Sequence, residues 1–241
     1  MDCLLLHGWG SSNTVWQDFA ESLSDFKNIS APCLYDLARS DSEGGYESLV
    51  ADINKSIKSD TIIIAWSMGG LVATRLASLT KKIKAIVFIA STPCFINKKA
   101  WGNVIDKKGF ANLKTRLAND TKSALEYFSG LIASGDESVK KTNKIIRNNL
   151  ANEKNKAILS SWLELMQETD QRYLLQELNI PMQFILGKND SLINPRLEDE
   201  IKALSSYIEC NVIPDCGHAP FISKQEETSK IIKKFTNAKF S

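Results

Sequence analysis

The sequence predicts an α/β protein, a mostly parallel sheet flanked by helices and interrupted by a helical insertion. Three observations predict it. Short β-branched runs alternate with segments of helical spacing. A buried run, Thr61–Trp66, passes through a glycine-containing turn straight into a helical pattern. Residues 97–174 then lose every strand signal before the alternation resumes.

Taken in order, residues 3–6 form a short apolar run that stops at His7-Gly8, and residues 15–25 have helical character. Residues 31–35 read as a second short strand. Leu49, Ile53 and Ile57 recur every fourth position and predict a helix over 46–58. Thr61–Trp66 is a fully apolar strand core, followed by a helix over 71–79. Residues 85–90 (AIVFIA) predict another buried strand, closed by the turn Ser91-Thr92-Pro93. Residues 97–174 are rich in Lys and Asn. Leu113, Leu117, Leu125, Phe128 and Leu131 offer one set of apolar faces there; Ile145, Ile146, Leu150, Ile158, Leu159, Trp162 and Leu165 offer another. Pro181 then introduces a strand over 182–186, Ile208–Ile213 is the next, and a helix over 225–235 ends the pattern. The expected division is a core of 1–96 and 175–241 with a helical lid of 97–174.

The 241 residues suit one large α/β domain, or one domain with an insertion. A hydrophobic content of 43% and a charged content of 24% are those of a soluble globular protein. A net charge of +2 argues against a nucleic-acid binder. The charge is unevenly spread. Residues 97–156 hold thirteen Lys/Arg against six Asp/Glu, a local +7, so the remainder carries −5. Five cysteines, odd in number and without a CxxC pair, argue against a disulfide framework or a zinc site. The start lacks a basic region ahead of its short apolar run, and no apolar stretch reaches the roughly 20 residues of a membrane span. The expectation is a cytoplasmic monomer with no cofactor, no metal and no membrane or nucleic-acid partner.

Chemistry concentrates at three turns. In Ile64-Ala65-Trp66-Ser67-Met68-Gly69-Gly70 a strand enters a sharp turn and then a helix, the context of a nucleophile elbow. Ser67 is the candidate nucleophile. Gly69 and Ala65 are the small residues such a turn requires, with alanine replacing the usual first glycine. His7-Gly8-Trp9-Gly10 follows the first strand, and a glycine-rich turn there aims a main-chain amide at a substrate oxyanion. The Trp9 and Met68 amides are the candidate pair of donors. A serine hydroxyl needs a base, and the chain has two histidines. His7 precedes Ser67 and is read as ordering its loop. His218 follows it, in the Ser, acid, His order of the α/β-hydrolase fold. The acid should follow an intervening strand. Asp190, in Gly187-Lys188-Asn189-Asp190, is the candidate, and Asp215, close to His218 in sequence, is its competitor.

Together these residues resemble the BioH-type pimeloyl-[acyl-carrier-protein] methyl ester esterases of biotin synthesis. The matching stretches are HGWG at 7–10, WSMGGLVA at 66–73, STPCF at 91–95, DQRYLL at 170–175, GKNDSLINP at 187–195 and HAPFIS at 218–223. The resemblance implies a serine esterase that cleaves the methyl ester of a pimeloyl chain carried on acyl carrier protein. It also implies a basic lid that receives the acidic carrier. Lys140 and Lys144 fall where the family's lid carries arginines, and Phe128 matches an aromatic lid position. Tyr127 replaces one family arginine and Ser123 stands near another, beside Lys122. Trp9, Trp66 and Phe128 are candidates to line the acyl channel. Two departures stand out: the family's first two strands have no counterpart ahead of HGWG, and the stretch Asp36-Leu37-Ala38-Arg39-Ser40 lacks a Pro-Gly turn. Three other readings share these residues: a general short-chain carboxylesterase or thioesterase, a lyase of the same fold, and a non-catalytic ligand-binding protein.

Overall fold

The computed structural model describes residues 1–38, 45–98, 101–102, 104–105 and 107–240. Six strands form one parallel sheet: β1 (Asp2–Leu6), β2 (Ile29–Ser30), β3 (Thr61–Trp66), β4 (Ile83–Ile89), β5 (Met182–Gly187) and β6 (Ile208–Ile213). Their spatial order is β2-β1-β3-β4-β5-β6. The central strands β3 and β5 are buried along their whole length, as strands covered by helices on both faces must be. Ile64 pairs with Leu5 on one side and Val87 on the other, so the longest apolar runs occupy the sheet centre. The chain leaves β1 for β2 on one side and returns to β3 on the other. In open parallel sheets the crevice at such a reversal, at the strands' carboxyl ends, is where ligands bind. HGWG follows β1 and Ser67 follows β3, so both sit at that point.

Most of the expected elements are present with small boundary shifts. The helix after β3 is Gly69–Leu79, and the last helix runs Gln225–Phe240, past the expected end at 235. Residues 15–25 are not one helix. They hold the turn Asn13–Trp16, the short helix Gln17–Ala20 and the turn Glu21–Leu23. The strand expected over 31–35 is displaced. Pairing is confined to Ile29–Ser30, and Leu34–Leu37 is a single helical turn. Pro32 has no N–H to offer a ladder, and the Leu34 amide is taken by His7 Nε2 at 2.9 Å. The outer edge of the sheet is therefore two exposed residues long, too short to template pairing with another chain. Of the Asp36–Ser40 stretch, Arg39 and Ser40 lie outside the described residues.

Between β4 and β5 the chain forms helices Lys107–Asn119, Thr121–Ala133, Val139–Asn148, Lys156–Glu168 and Arg172–Glu177. The last crosses residue 174, where the lid was expected to end. Asp120 caps Thr121–Ala133, accepting from the Ser123 amide at 3.1 Å. Phe110, Leu113, Leu125, Phe128, Trp162 and Leu163 are buried, and Leu131, Ile145, Leu150, Ile158 and Leu165 are partly covered. The DQRYLL stretch fastens the insertion to the sheet. The Gln171 amide donates to Pro93 O at 2.9 Å, and Arg172 forks onto Asp170 at 2.9 and 2.7 Å. That fork holds the Asp170 carboxyl below its ordinary range. The five cysteines are unbridged, and among the described residues no helix is long and apolar enough to cross a membrane.

Candidate active site

Ser67 has φ 52°, left-handed backbone that a non-glycine residue holds only where its surroundings enforce it. They do so from several sides. The Ser67 amide donates to Ile89 O at 2.9 Å, and its carbonyl accepts from the Gly70 amide at 2.9 Å and from Ser91 Oγ at 2.6 Å. A side chain on Gly69 would stand 2.6 Å from Leu6 O and 2.8 Å from His7 O. The glycine two after the serine is thus dictated by the first strand's end. Gly70 is dictated separately, because a Cβ there would collide with Ser91 Oγ.

His218 lies on the loop after β6. Its Nε2 is 2.9 Å from Ser67 Oγ, and its Nδ1 is 2.7 Å from Asp190 Oδ2. Asp190 sits in the turn after β5, where its other oxygen accepts from the Leu192 and Ile193 amides at 2.8 and 3.0 Å. A carboxylate on Nδ1 selects the tautomer with its proton there, which leaves Nε2 free to accept from the serine hydroxyl. All three side chains are buried. Asp215 is exposed on the turn before the histidine, and the carboxylate that meets His218 is that of Asp190.

The HGWG turn lies against the nucleophile: a Cβ on Gly8 would be 3.0 Å from Ser67 Cβ. His7 is fully buried, accepts at Nε2 from the Leu34 amide and so donates from Nδ1 to Gly8 O at 3.0 Å. Burial lowers its pKa from 6.5 to about 4, keeping the ring neutral in this role. Gly10, at φ 74°, donates to the Tyr35 hydroxyl at 2.7 Å. Met68 caps the helix Gly69–Leu79, and its amide lies at the end of a helix where N–H groups have no partner within the helix.

Above these groups is a cavity of about 420 Å³. Trp9, Phe95, Phe110, Leu113, Phe128 and Met166 supply much of its apolar wall, and Ser67 and His218 open into it. Trp9 is locked by its indole N–H on Leu159 O at 2.9 Å and by an edge contact with Phe128, centroids 4.9 Å apart. Trp66 does not line the cavity, contrary to expectation. It is fully buried against Phe221 and donates to His218 O at 2.8 Å. It supports the histidine loop. Lys140 and Lys144 lie exposed on the helix Val139–Asn148, outside the cavity lining. Within STPCF, Ser91 has a role that the paired glycines after Ser67 signal, since a Cβ on Gly70 would collide with its Oγ. Asp136, a buried insertion carboxylate that accepts from the Gly217 amide at 2.5 Å, has no such signal, because a Gly-Asp turn between helices does not say which distant amide it meets.

The chain matches a family model described as alpha/beta hydrolase fold over residues 46–225. It is also similar to proteins named pimeloyl-[acyl-carrier protein] methyl ester esterase. That of Aeromonas hydrophila subsp. hydrophila is 29% identical over 97% of this chain and 94% of its own length. That of Vibrio cholerae serotype O1 is 27% identical over 93% and 90%. The resemblance carried by the six short stretches therefore extends along nearly the whole chain. Among solved structures, a bromoperoxidase from Bacillus anthracis superposes with a TM-score of 0.83 at 18% identity, covering 98% of this chain and 91% of its own. With the parallel sheet, the strained serine after β3 and this match spanning the elbow, the chain belongs to the alpha/beta hydrolase fold family.

Proposed function

We propose that this protein is a cytoplasmic, monomeric serine carboxylesterase that hydrolyses the methyl ester of a pimeloyl chain carried on acyl carrier protein, a step of biotin biosynthesis. One observation carries the reading: Ser67, His218 and Asp190 stand in hydrogen-bonding line at 2.9 and 2.7 Å beneath a largely apolar cavity. The similarity to esterases of that name supports the substrate.

Ser67 Oγ attacks the ester carbonyl carbon as its proton passes to His218 Nε2. The carbonyl oxygen becomes an oxyanion, and the Trp9 and Met68 amides are the donors that receive it; losing one such donor costs about 3 kcal/mol of barrier. The carbon–methoxy bond then breaks, and methanol leaves with the proton from His218. Water attacks the acyl-enzyme and gives a proton to His218. The Ser67 oxygen departs with that proton, releasing the free pimeloyl carboxyl group on its carrier. Asp190 stays ionised throughout and stabilises the imidazolium. The apolar wall suits a methylene chain, and the exposed Lys140 and Lys144 suit an acidic carrier outside.

The test is methanol release from the carrier-linked methyl ester, set beside hydrolysis of a free short ester. The wild type should favour the carrier-linked substrate in kcat/KM, and Ser67→Ala should abolish both activities with its Tm unchanged. Turnover retained by Ser67→Ala refutes the relay, whereas equal preference for both esters turns the reading toward a general carboxylesterase.

A further inference from the structure

We infer that Asp136 is a positioning residue for His218, making the turn after helix Thr121–Ala133 a working part of the relay; this rests on reading Ser67, His218 and Asp190 as a hydrolytic relay. The insertion does more than roof the cavity. Asp136 Oδ1 accepts from the Gly217 amide at 2.5 Å, and Ile132 O accepts from the His218 amide at 3.2 Å. The peptides on both sides of the Gly217–His218 junction are thus held by the same short segment.

That segment also grips the acid loop. Leu131 O accepts from Ser191 Oγ at 3.3 Å, and Gly135 O accepts from Asn189 Nδ2 at 3.2 Å. These partners flank Asp190 on either side. The packing is close enough to need glycine from both directions. Gly135 has φ 88°, and a Cβ on it would collide with Asn189 O; a Cβ on Gly217 would stand 2.5 Å from Ser134 O. Asp136 is the side chain of this clamp that reaches the base loop. It is buried, and among the described residues its Oδ2 has no hydrogen-bond partner. A half-satisfied buried carboxylate costs stability, and such local costs are kept where a site gains from them. Here the gain is the placement of the imidazole that must meet Ser67 Oγ.

The experiment compares Asp136→Ala, Asp136→Asn and the exposed same-turn control Glu137→Gln, with each rate divided by the active-site concentration from fluorophosphonate labelling. Asp136→Asn keeps an acceptor for the Gly217 amide. Asp136→Ala should lose about thirtyfold in kcat with KM little changed, as expected for a misplaced catalytic group. Asp136→Asn should stay within about threefold of wild type and Glu137→Gln should match it. If alanine does not fold, Asp136→Ser reads the same comparison, its hydroxyl being too short to reach the amide. A purely structural Asp136 would lower Tm and the labelled fraction while leaving kcat per labelled site at the wild-type value, and that result overturns the inference. Equal losses in Asn and Ala also overturn it. Failure of the wild type itself to label would instead sink the relay reading and is seen separately.

Discussion

Strand β3, which delivers Ser67 to the cavity, and helix Thr121–Ala133, which lines it with Tyr127, Phe128 and Leu131, are built differently. Every residue of β3 is buried, with ladders on both sides. The helix buries one face, leaves the other to solvent, and ends in a turn whose carbonyls and one carboxylate reach the catalytic loops. In the sheet, main-chain geometry sets the chemistry: φ at Ser67, the turn after β5, and glycines where no Cβ fits. In the insertion, side-chain volume sets the shape of the container. Substitutions in the first region, or in the turn that ends the helix, should therefore act on rate or folding, and those in the cavity wall of the insertion on which substrate is held.

The largest expected effect is that of Asp190→Asn. It preserves shape but loses the carboxylate that fixes the His218 tautomer, so kcat should fall about 10⁴-fold with little change in Tm. A loss under tenfold would break the assignment of chemistry to the sheet-end loops. Next comes a pair of alanines. Gly69→Ala places a Cβ against Leu6 O and His7 O and should destabilise by about 3–5 kcal/mol in urea unfolding. Gly130→Ala, inside the insertion helix with open space around its Cβ, should instead stabilise by about 0.5–1 kcal/mol. Similar values for the two would erase the contrast between the regions.

His7 gives a third test. Its folded pKa of about 4 lies below the ordinary 6.5, so as pH falls the unfolded chain takes up the proton first. The contribution of His7 to stability is fully present above pH 6.5, declines between 6.5 and 4, and amounts to about 3 kcal/mol across that window. In His7→Gln, which has a donor and an acceptor but does not titrate, denaturation curves across that range should lose this slope. The smallest effect belongs to the insertion surface. Lys140→Gln with Lys144→Gln should raise KM for the carrier-linked ester by about threefold to tenfold at low salt and leave a free ester unaffected. Equal changes for both substrates would remove the surface from carrier recognition.

Legibility in the sequence followed the same division. The run Thr61–Trp66 with its small residues beyond carries enough constraint to locate the elbow, and a chain with two histidines leaves little choice of base. Asp190 follows β5, but its competitor Asp215 follows β6 just as closely, and the contact of Asp190 with His218 Nδ1 is what separates them. The contacts that no local pattern encodes were not legible. An aromatic beside a nucleophile reads as a channel wall, yet Trp66 packs on Phe221 and donates its indole N–H to His218 O. The strand expected over 31–35 yielded to a long-range bond from His7. Asp136 acts across 81 positions of sequence, and nothing in a Gly-Asp turn says which distant amide it will meet.

The grip of the turn on both catalytic loops bears on how such enzymes exchange specificity. A lid transplanted from a relative at its outermost residues, leaving behind the segment from Leu131 to Asp136, would bring new walls and abandon the latch that keeps acid and base in register. Chimeras in this family should work when the graft includes that latch together with its facing glycine at position 217. Those cut inside it should bind their new acyl groups and turn them over slowly.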